Sequence, residues 1–235
     1  MKSEKEIFEK AYLQFWSGRT SAGHRSSEED FLLKEAKEKL LHLDGGVSLL
    51  DFGCGSADLL YYFISHYDYV VGVDFSSSML NEAKKRIAGI NHNSVLLLLA
   101  DDKTVWNKLN SNFDRITAGQ VVQNFTIQQI DNFILMASRH LNEGGRIVLF
   151  DIIDPKLYFL WKLGFFKKDF KSHCVGQFVS EIHSKISSII KRHPDDIIHL
   201  GYSPHVIEAI ALKYHREVEY VKSIYYEYRY HLIIK

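Results

Sequence analysis

The stretch that most constrains this chain is LLDFGCGSADLL at 49–60, an apolar run, a Gly-x-Gly pair and the first turn of a helical pattern. VSLLDFG at 47–53 reads as a buried strand ending in glycine. A second apolar run, VVGVD at 70–74, ends in Asp74, 23 residues beyond Asp51. Glycines without a Cβ let a backbone turn approach a ligand closely. An acid at the end of the next strand can accept hydrogen bonds from both hydroxyls of a ribose. Strand, tight turn, helix, strand and acid together predict a nucleoside-containing cofactor at the ends of two parallel strands.

The loop also says which cofactor chemistry it disfavours. The pyrophosphate pattern G-x-G-x-x-G is incomplete, because Asp58 stands at the last position, and no Lys-Ser/Thr follows as a phosphate loop needs. Asp51 and Asp58 would repel a pyrophosphate, which counts against a dinucleotide oxidoreductase. They tolerate a ligand carrying an amine and a sulfonium.

The alternation continues along the chain. Residues 5–17 and 28–42 read as helices, 56–66 and 76–89 as helices after the first two strands, and 94–100 and 113–119 as strands three and four. Thr126 caps a helix over 126–141, and 144–153 is a fifth strand. Near-continuous apolar strand cores separated by helices imply a sheet covered on both faces. Residues 156–200 break the rhythm with aromatic and amphipathic stretches. Ser203-Pro204 then starts a helix, and 217–224 and 225–235 alternate as antiparallel edge strands do.

Composition sets the outer bounds. The 235 residues suit a single domain, and 46% hydrophobic content is enough for a sizeable core. Twenty-nine basic residues balance 29 acidic ones, without the basic excess of a nucleic-acid binder. The two cysteines exclude a disulfide scaffold or a four-cysteine zinc site. His173, Cys174 and His183, and the pair His193 and His199, lack compact zinc spacing, so no metal is expected. The charged start MKSEKEIFEK is unlike a secretory signal, and no apolar run is long enough to span a bilayer as a helix. A cytoplasmic protein is expected.

Leu50–Ala57, Val71–Asp74 with Ser76 and Met79-Leu80, Phe113-Asp114, and Glu143–Arg146 occur in the order seen in one family. The chain resembles the class I S-adenosylmethionine-dependent methyltransferases over about 47–153, with Ala57 where that family usually has a third glycine. The resemblance implies an α/β, Rossmann-like seven-stranded mixed sheet in the order 3-2-1-4-5-7-6, strand 7 antiparallel, with helices on both faces. It divides the single domain 1–235 into an N-terminal helical cap (1–42), a cofactor-binding core (43–155), a substrate-lid insertion (156–200) and a terminal helix and strands (201–235). By the same resemblance, Asp51 and Gly53 lie near the methionine part of S-adenosyl-L-methionine. Gly55 admits the cofactor, Asp74 holds the ribose, and Phe75 and Met79 pack on the adenine. Asp101, or its neighbour Asp102, meets the adenine amino group, and Gly119 and Gln120 approach the methionine part.

The acceptor is less legible. Gln123 stands where related small-molecule enzymes often have histidine, and it can orient a substrate but not act as a comparable base. Tyr12 and Trp16, four apart, share a helical face and form either a lid or a packing stripe. Asp151 and Asp154 flank the end of strand five, where they meet a polar group of the substrate or cap a turn. No residue identifies itself as a general base. Methyl transfer to a small molecule is expected, oxygen favoured over nitrogen. The alternatives are a protein or RNA methyltransferase and an inactive cofactor-binding module.

Overall fold

The computed structural model describes residues 28–90, 94–162 and 201–235. Tyr12 and Trp16, the histidine clusters at 173–199 and the expected lid beyond 162 lie outside them. Within them the elements run α1 (Glu29–Leu43), β1 (Gly46–Phe52), α2 (Leu60–Phe63), β2 (Tyr67–Asp74), α3 (Ser77–Ile87), β3 (Val95–Leu99), β4 (Phe113–Gly119), α4 (Ile127–Arg139), β5 (Leu141–Ile153), α5 (Pro155–Lys162), α6 (Pro204–Leu212), β6 (Val218–Lys222) and β7 (Arg229–Ile234).

The seven strands form one sheet, β3-β2-β1-β4-β5-β7-β6. β1 to β5 are mutually parallel, and β7 runs antiparallel to both β5 and β6. The expected order and the reversed last strand are both observed. The order reverses beside β1, so the carboxyl ends of β1 and β4 diverge there and leave a crevice.

Apolar side chains alternate between two cores. On one face Phe52, Ile116 and Leu149 pack with Phe133 and Ile134 of α4 and Ile207 and Ile210 of α6. On the other, Leu49, Val70 and Val148 pack with Ala36 and Leu43 of α1, Leu60 and Phe63 of α2 and Leu80 of α3. The helix starts follow the caps. Ser76 Oγ accepts the Met79 N–H, and Thr126 and Gln129 form a reciprocal capping box at the head of α4.

Among the differences from the sequence reading are two boundaries and one cap. The helix expected over 56–66 contracts to Leu60–Phe63 with a 3-10 turn at Ile64–His66. Gly55 (φ 56°) and Ala57 (φ 62°) are left-handed, so a right-handed helix begins only after them. β5 starts at Leu141 rather than 144, because Leu141 already pairs with Phe113 across a register shift. Pro204 opens α6 as expected, but Ser203 makes no side-chain cap bond.

β5 carries a bulge. Its pairing with β7 shifts register between Leu149 and Ile152, and Asp151 there has φ 56°. Leu149 and Ile152 face the first core, Val148 and Phe150 the second. The extra residue puts Asp151 on the Phe150 side, where strict alternation would have sent it to the opposite face.

Candidate cofactor and acceptor site

The Gly-x-Gly loop turns over the carboxyl end of β1. Gly53 and Cys54 donate their N–H groups to the Val73 carbonyl at 2.7 and 2.9 Å, so the loop is tied to β2. Gly53 has φ 77°, and a Cβ there would lie 2.3 Å from Val121 Cγ2. Gly55 is also left-handed, but among the described residues nothing lies within 4 Å of a Cβ built on it. The first glycine is demanded by packing, and the second leaves space open for a ligand.

Asp74 ends β2 beside that space. One carboxylate oxygen accepts the Gly55 N–H at 2.9 Å and the other the Ser76 N–H at 2.8 Å. These bonds fix the plane of a carboxylate that is only 8% exposed. Burial pushes its pKa above the ordinary aspartate value, and the amide bonds from Ser76, Gly55 and Phe75 partly oppose that rise. An aspartate held this way still has lone pairs for a diol.

A cleft of about 310 Å³, counted to its open mouth, is lined by Asp51, Gly53, Cys54, Leu59, Phe63, Thr117, Gly119 and Phe150. Asp51 and Gly119 come from β1 and β4 at the crevice. The Cys54 thiol is buried, and burial together with the Asp51 and Asp74 charges pushes its pKa well up, so it is an inert wall group. Leu59, Phe63, Thr117 and Phe150 were not singled out as site residues. In sequence they look like ordinary core positions, and only the packing of loop against strands turns them to the cleft.

The residues expected on the adenine side follow β2 and β3. Met79 is buried in the first turn of α3, and Phe75 is half-buried. Asp101 follows β3, where one carboxylate oxygen accepts N–H bonds from Lys103 and Thr104 and the Thr104 hydroxyl at 2.6 Å. Burial raises its pKa, but these bonds outweigh burial and hold the carboxyl below its ordinary range. Its rival Asp102 instead accepts from Gln129 of α4 at 3.1 Å. Asp58, read from sequence as bearing on the cofactor, is engaged elsewhere. It pairs with Arg86 at 2.8 Å and accepts from Ser56 at 3.0 Å.

The acceptor candidates separate at the ends of β4 and β5. Gln120 has φ 60°, an unusual strain for a non-glycine residue, and Asn124 Nδ2 braces its carbonyl at 3.1 Å. Gln123 is 1% exposed, and its side-chain oxygen has no hydrogen-bond partner among the described residues. Asp154 Oδ1 accepts the Lys156 and Leu157 N–H groups at 2.8 and 3.3 Å, which is the turn-capping role. Beyond it, Tyr158 stacks on Trp161 at 5.9 Å and Trp161 meets Tyr228 at 4.8 Å, making an aromatic patch at the carboxyl end of β5.

The two carboxylates Asp51 and Asp74, the open Gly55 cradle and the apolar wall suit a nucleoside that also carries cationic groups. A family model described as a methyltransferase domain matches residues 49–145, which holds the whole cleft except Phe150. That stretch is a methyltransferase domain of the class I S-adenosylmethionine-dependent kind. Among its methyltransferase relatives, the chain is 33% identical over 136 residues to the cyclopropane-fatty-acyl-phospholipid synthase of Escherichia coli K12, covering 57% of this chain and 34% of that protein. It is 26% identical over 115 residues to the demethylmenaquinone methyltransferase of Desulfitobacterium hafniense Y51, covering 48% and 45%. The chain thus spans about a third and under half of their lengths. The fold is shared with a solved structure named as the DhpI-SAM-HEP complex, at TM-score 0.67 and 14% identity over the full length of both chains. Among the described residues, no helix of this methyltransferase is long and apolar enough to cross a membrane, and no cluster of metal-ligating side chains occurs.

Proposed function

We propose that the chain is a cytoplasmic enzyme that transfers a methyl group from S-adenosyl-L-methionine to a small-molecule acceptor, with oxygen favoured over nitrogen. The observation that carries this reading is the Asp74 carboxylate, held by the Gly55 and Ser76 amides beside an open glycine cradle. When bound, the cofactor supplies a methyl group activated on a sulfonium. Asp74 would grip the ribose hydroxyls, Asp51 and Gly119 would face the methionine part, and Phe75 and Met79 would pack against the adenine. Asp101 is the better placed of the two adenine candidates, because Asp102 is turned toward α4.

The acceptor preference rests on what the described residues offer as bases. Gln123 is an amide and Asp154 is engaged as a cap. Catalysis by alignment rather than proton removal is then sufficient if the acceptor arrives already nucleophilic, as a carboxylate oxygen does. The buried Gln123 oxygen is a ready partner for a donor group on the acceptor.

The aromatic patch makes an apolar acceptor the more specific form of this reading. Phe159 and Trp161 remain 42% and 37% exposed at the end of β5. The names of two relatives speak of a fatty-acyl phospholipid and a menaquinone.

Calorimetry with the methylated and demethylated cofactor tests the proposal. Both should bind, and Asp74→Ala should weaken binding by about 1–3 kcal/mol through loss of buried hydrogen bonds. No affinity for either form would sink it. Gln123→Ala should leave cofactor binding intact and slow transfer, scored as label moved from methyl-labelled cofactor to a panel of small acids and apolar alcohols.

A further inference from the structure

Five ionisable side chains are sealed against the sheet beside the cleft, none more than 3% exposed: Glu35, Glu38 and Lys39 of α1, Asp151 of β5 and His231 of β7. Lys39 Nζ lies 3.0 Å from Asp151 Oδ2, 3.4 Å from Glu35 Oε1 and 3.5 Å from Glu38 Oε2. His231 Nδ1 accepts the Asp151 backbone N–H at 3.0 Å. The ring hydrogen is therefore on Nε2, which donates to Glu38 Oε1 at 3.2 Å. Glu38 Oε1 also accepts the Ile224 N–H at 2.6 Å.

Well-packed apolar residues of similar volume often give equal or greater stability than such buried charges, so stability alone does not account for them. The bulge does. At Asp151 the β5–β7 register breaks, and the strand amide there goes to an imidazole instead of the β7 backbone. Lys39 faces the carboxylate that the bulge has swung inward. The residue next to it, Phe150, lines the cofactor cleft. Its ring meets His231 edge-on at 5.2 Å and lies 5.7 Å from Lys39 Nζ, so the groups that hold the bulge also touch the wall.

We infer that His231, oriented by Glu38 and aided by Lys39, is a positioning residue that holds the β5 bulge and thereby sets Phe150 as a wall of the cofactor cleft. The inference rests on the cofactor reading above. It assigns function to residues that would never touch the reacting atoms.

Two substitutions separate the two ring nitrogens. In His231→Asn the side-chain oxygen takes the place of Nδ1 and can still accept the Asp151 N–H. In His231→Gln the amide sits where Nε2 was and reaches Glu38 instead. By calorimetry on the full chain, His231→Asn should bind the demethylated cofactor within about threefold of wild type, and His231→Gln at least about tenfold more weakly, the range expected when a buried donor loses its partner. His231→Gln binding as tightly as His231→Asn would overturn the inference. A merely structural histidine would not show this order.

Phe150→Leu should weaken binding by itself, and adding His231→Gln should then cost little more, since both act through one wall. Full additivity would argue against the shared route. A measurement without substitutions covers the case in which the variants do not fold. Exchange of the Asp151 amide hydrogen in the wild-type chain should slow when the demethylated cofactor binds, and an unchanged rate would overturn the coupling. A wild-type chain that binds neither cofactor form would overturn the functional reading itself, whereas normal binding by both histidine variants would remove only this inference.

Discussion

At position 53 two independent demands meet: a left-handed φ of 77° and a Val121 methyl 2.3 Å from where a Cβ would stand. Gly53→Ala should therefore cost about 2–4 kcal/mol of stability from left-handed strain and overpacking, read from urea unfolding, and should also impair cofactor binding. Asp74 makes a pH-dependent prediction. Its carboxyl is raised by burial, and the ionised form is the one that accepts from ribose hydroxyls. Cofactor affinity should be full above that raised pKa. It should fall as the pH drops through it, beginning above the range where an ordinary aspartate protonates. Affinity that stays flat into the ordinary aspartate range would contradict the assignment. Both residues were legible in sequence, because a Gly-x-Gly after an apolar strand and an acid after the next one depend only on local backbone chemistry. Phe150 was not, since nothing local distinguishes a cleft wall from a core phenylalanine.

Among the elements, α4 shows how much a boundary can owe to two side chains. Thr126 Oγ1 accepts the Gln129 N–H at 3.2 Å, and Gln129 Oε1 accepts the Thr126 N–H at 3.0 Å. Thr126→Ala should cost about 1 kcal/mol and lower Tm by about 2–4 °C in a chain of this size, measurable by calorimetric melting. The capped helix was readable from Thr126 and the periodic pattern after it. The helix after the glycine loop was overextended in sequence, because helical periodicity does not report that Ala57 is left-handed. α1 was readable in position but not in what it buries. Glu35, Glu38 and Lys39 look like solvated-face residues, and they are buried because Asp151 and His231 arrive from strands more than a hundred residues away.

For the molecule as a whole, Asp114 joins the amino ends of β1 and β4 to the start of β5. It accepts the Val47 and Ser48 N–H groups at 2.7 and 2.9 Å and Asn142 Nδ2 at 2.7 Å. Burial raises its pKa, but bonds from Asn142, Ser48 and Val47 and the nearby Arg115 charge outweigh burial and hold it below the ordinary value. Its stabilising contribution is therefore present above the unfolded aspartate pKa and lost as the pH falls through the lower, folded one. Asp114→Asn should remove that part of the acid dependence in pH-resolved urea unfolding; an unaltered acid limb would refute the role. The strand–helix alternation, the glycine cradle and the acid that closes it are encoded locally, because each depends on residues close along the chain. Tertiary structure alone decided the β5 bulge, the charges under it and the aromatic wall they touch. Those require α1, β5 and β7 to be packed together, and no local pattern encodes which distant partner will make a buried charge tolerable.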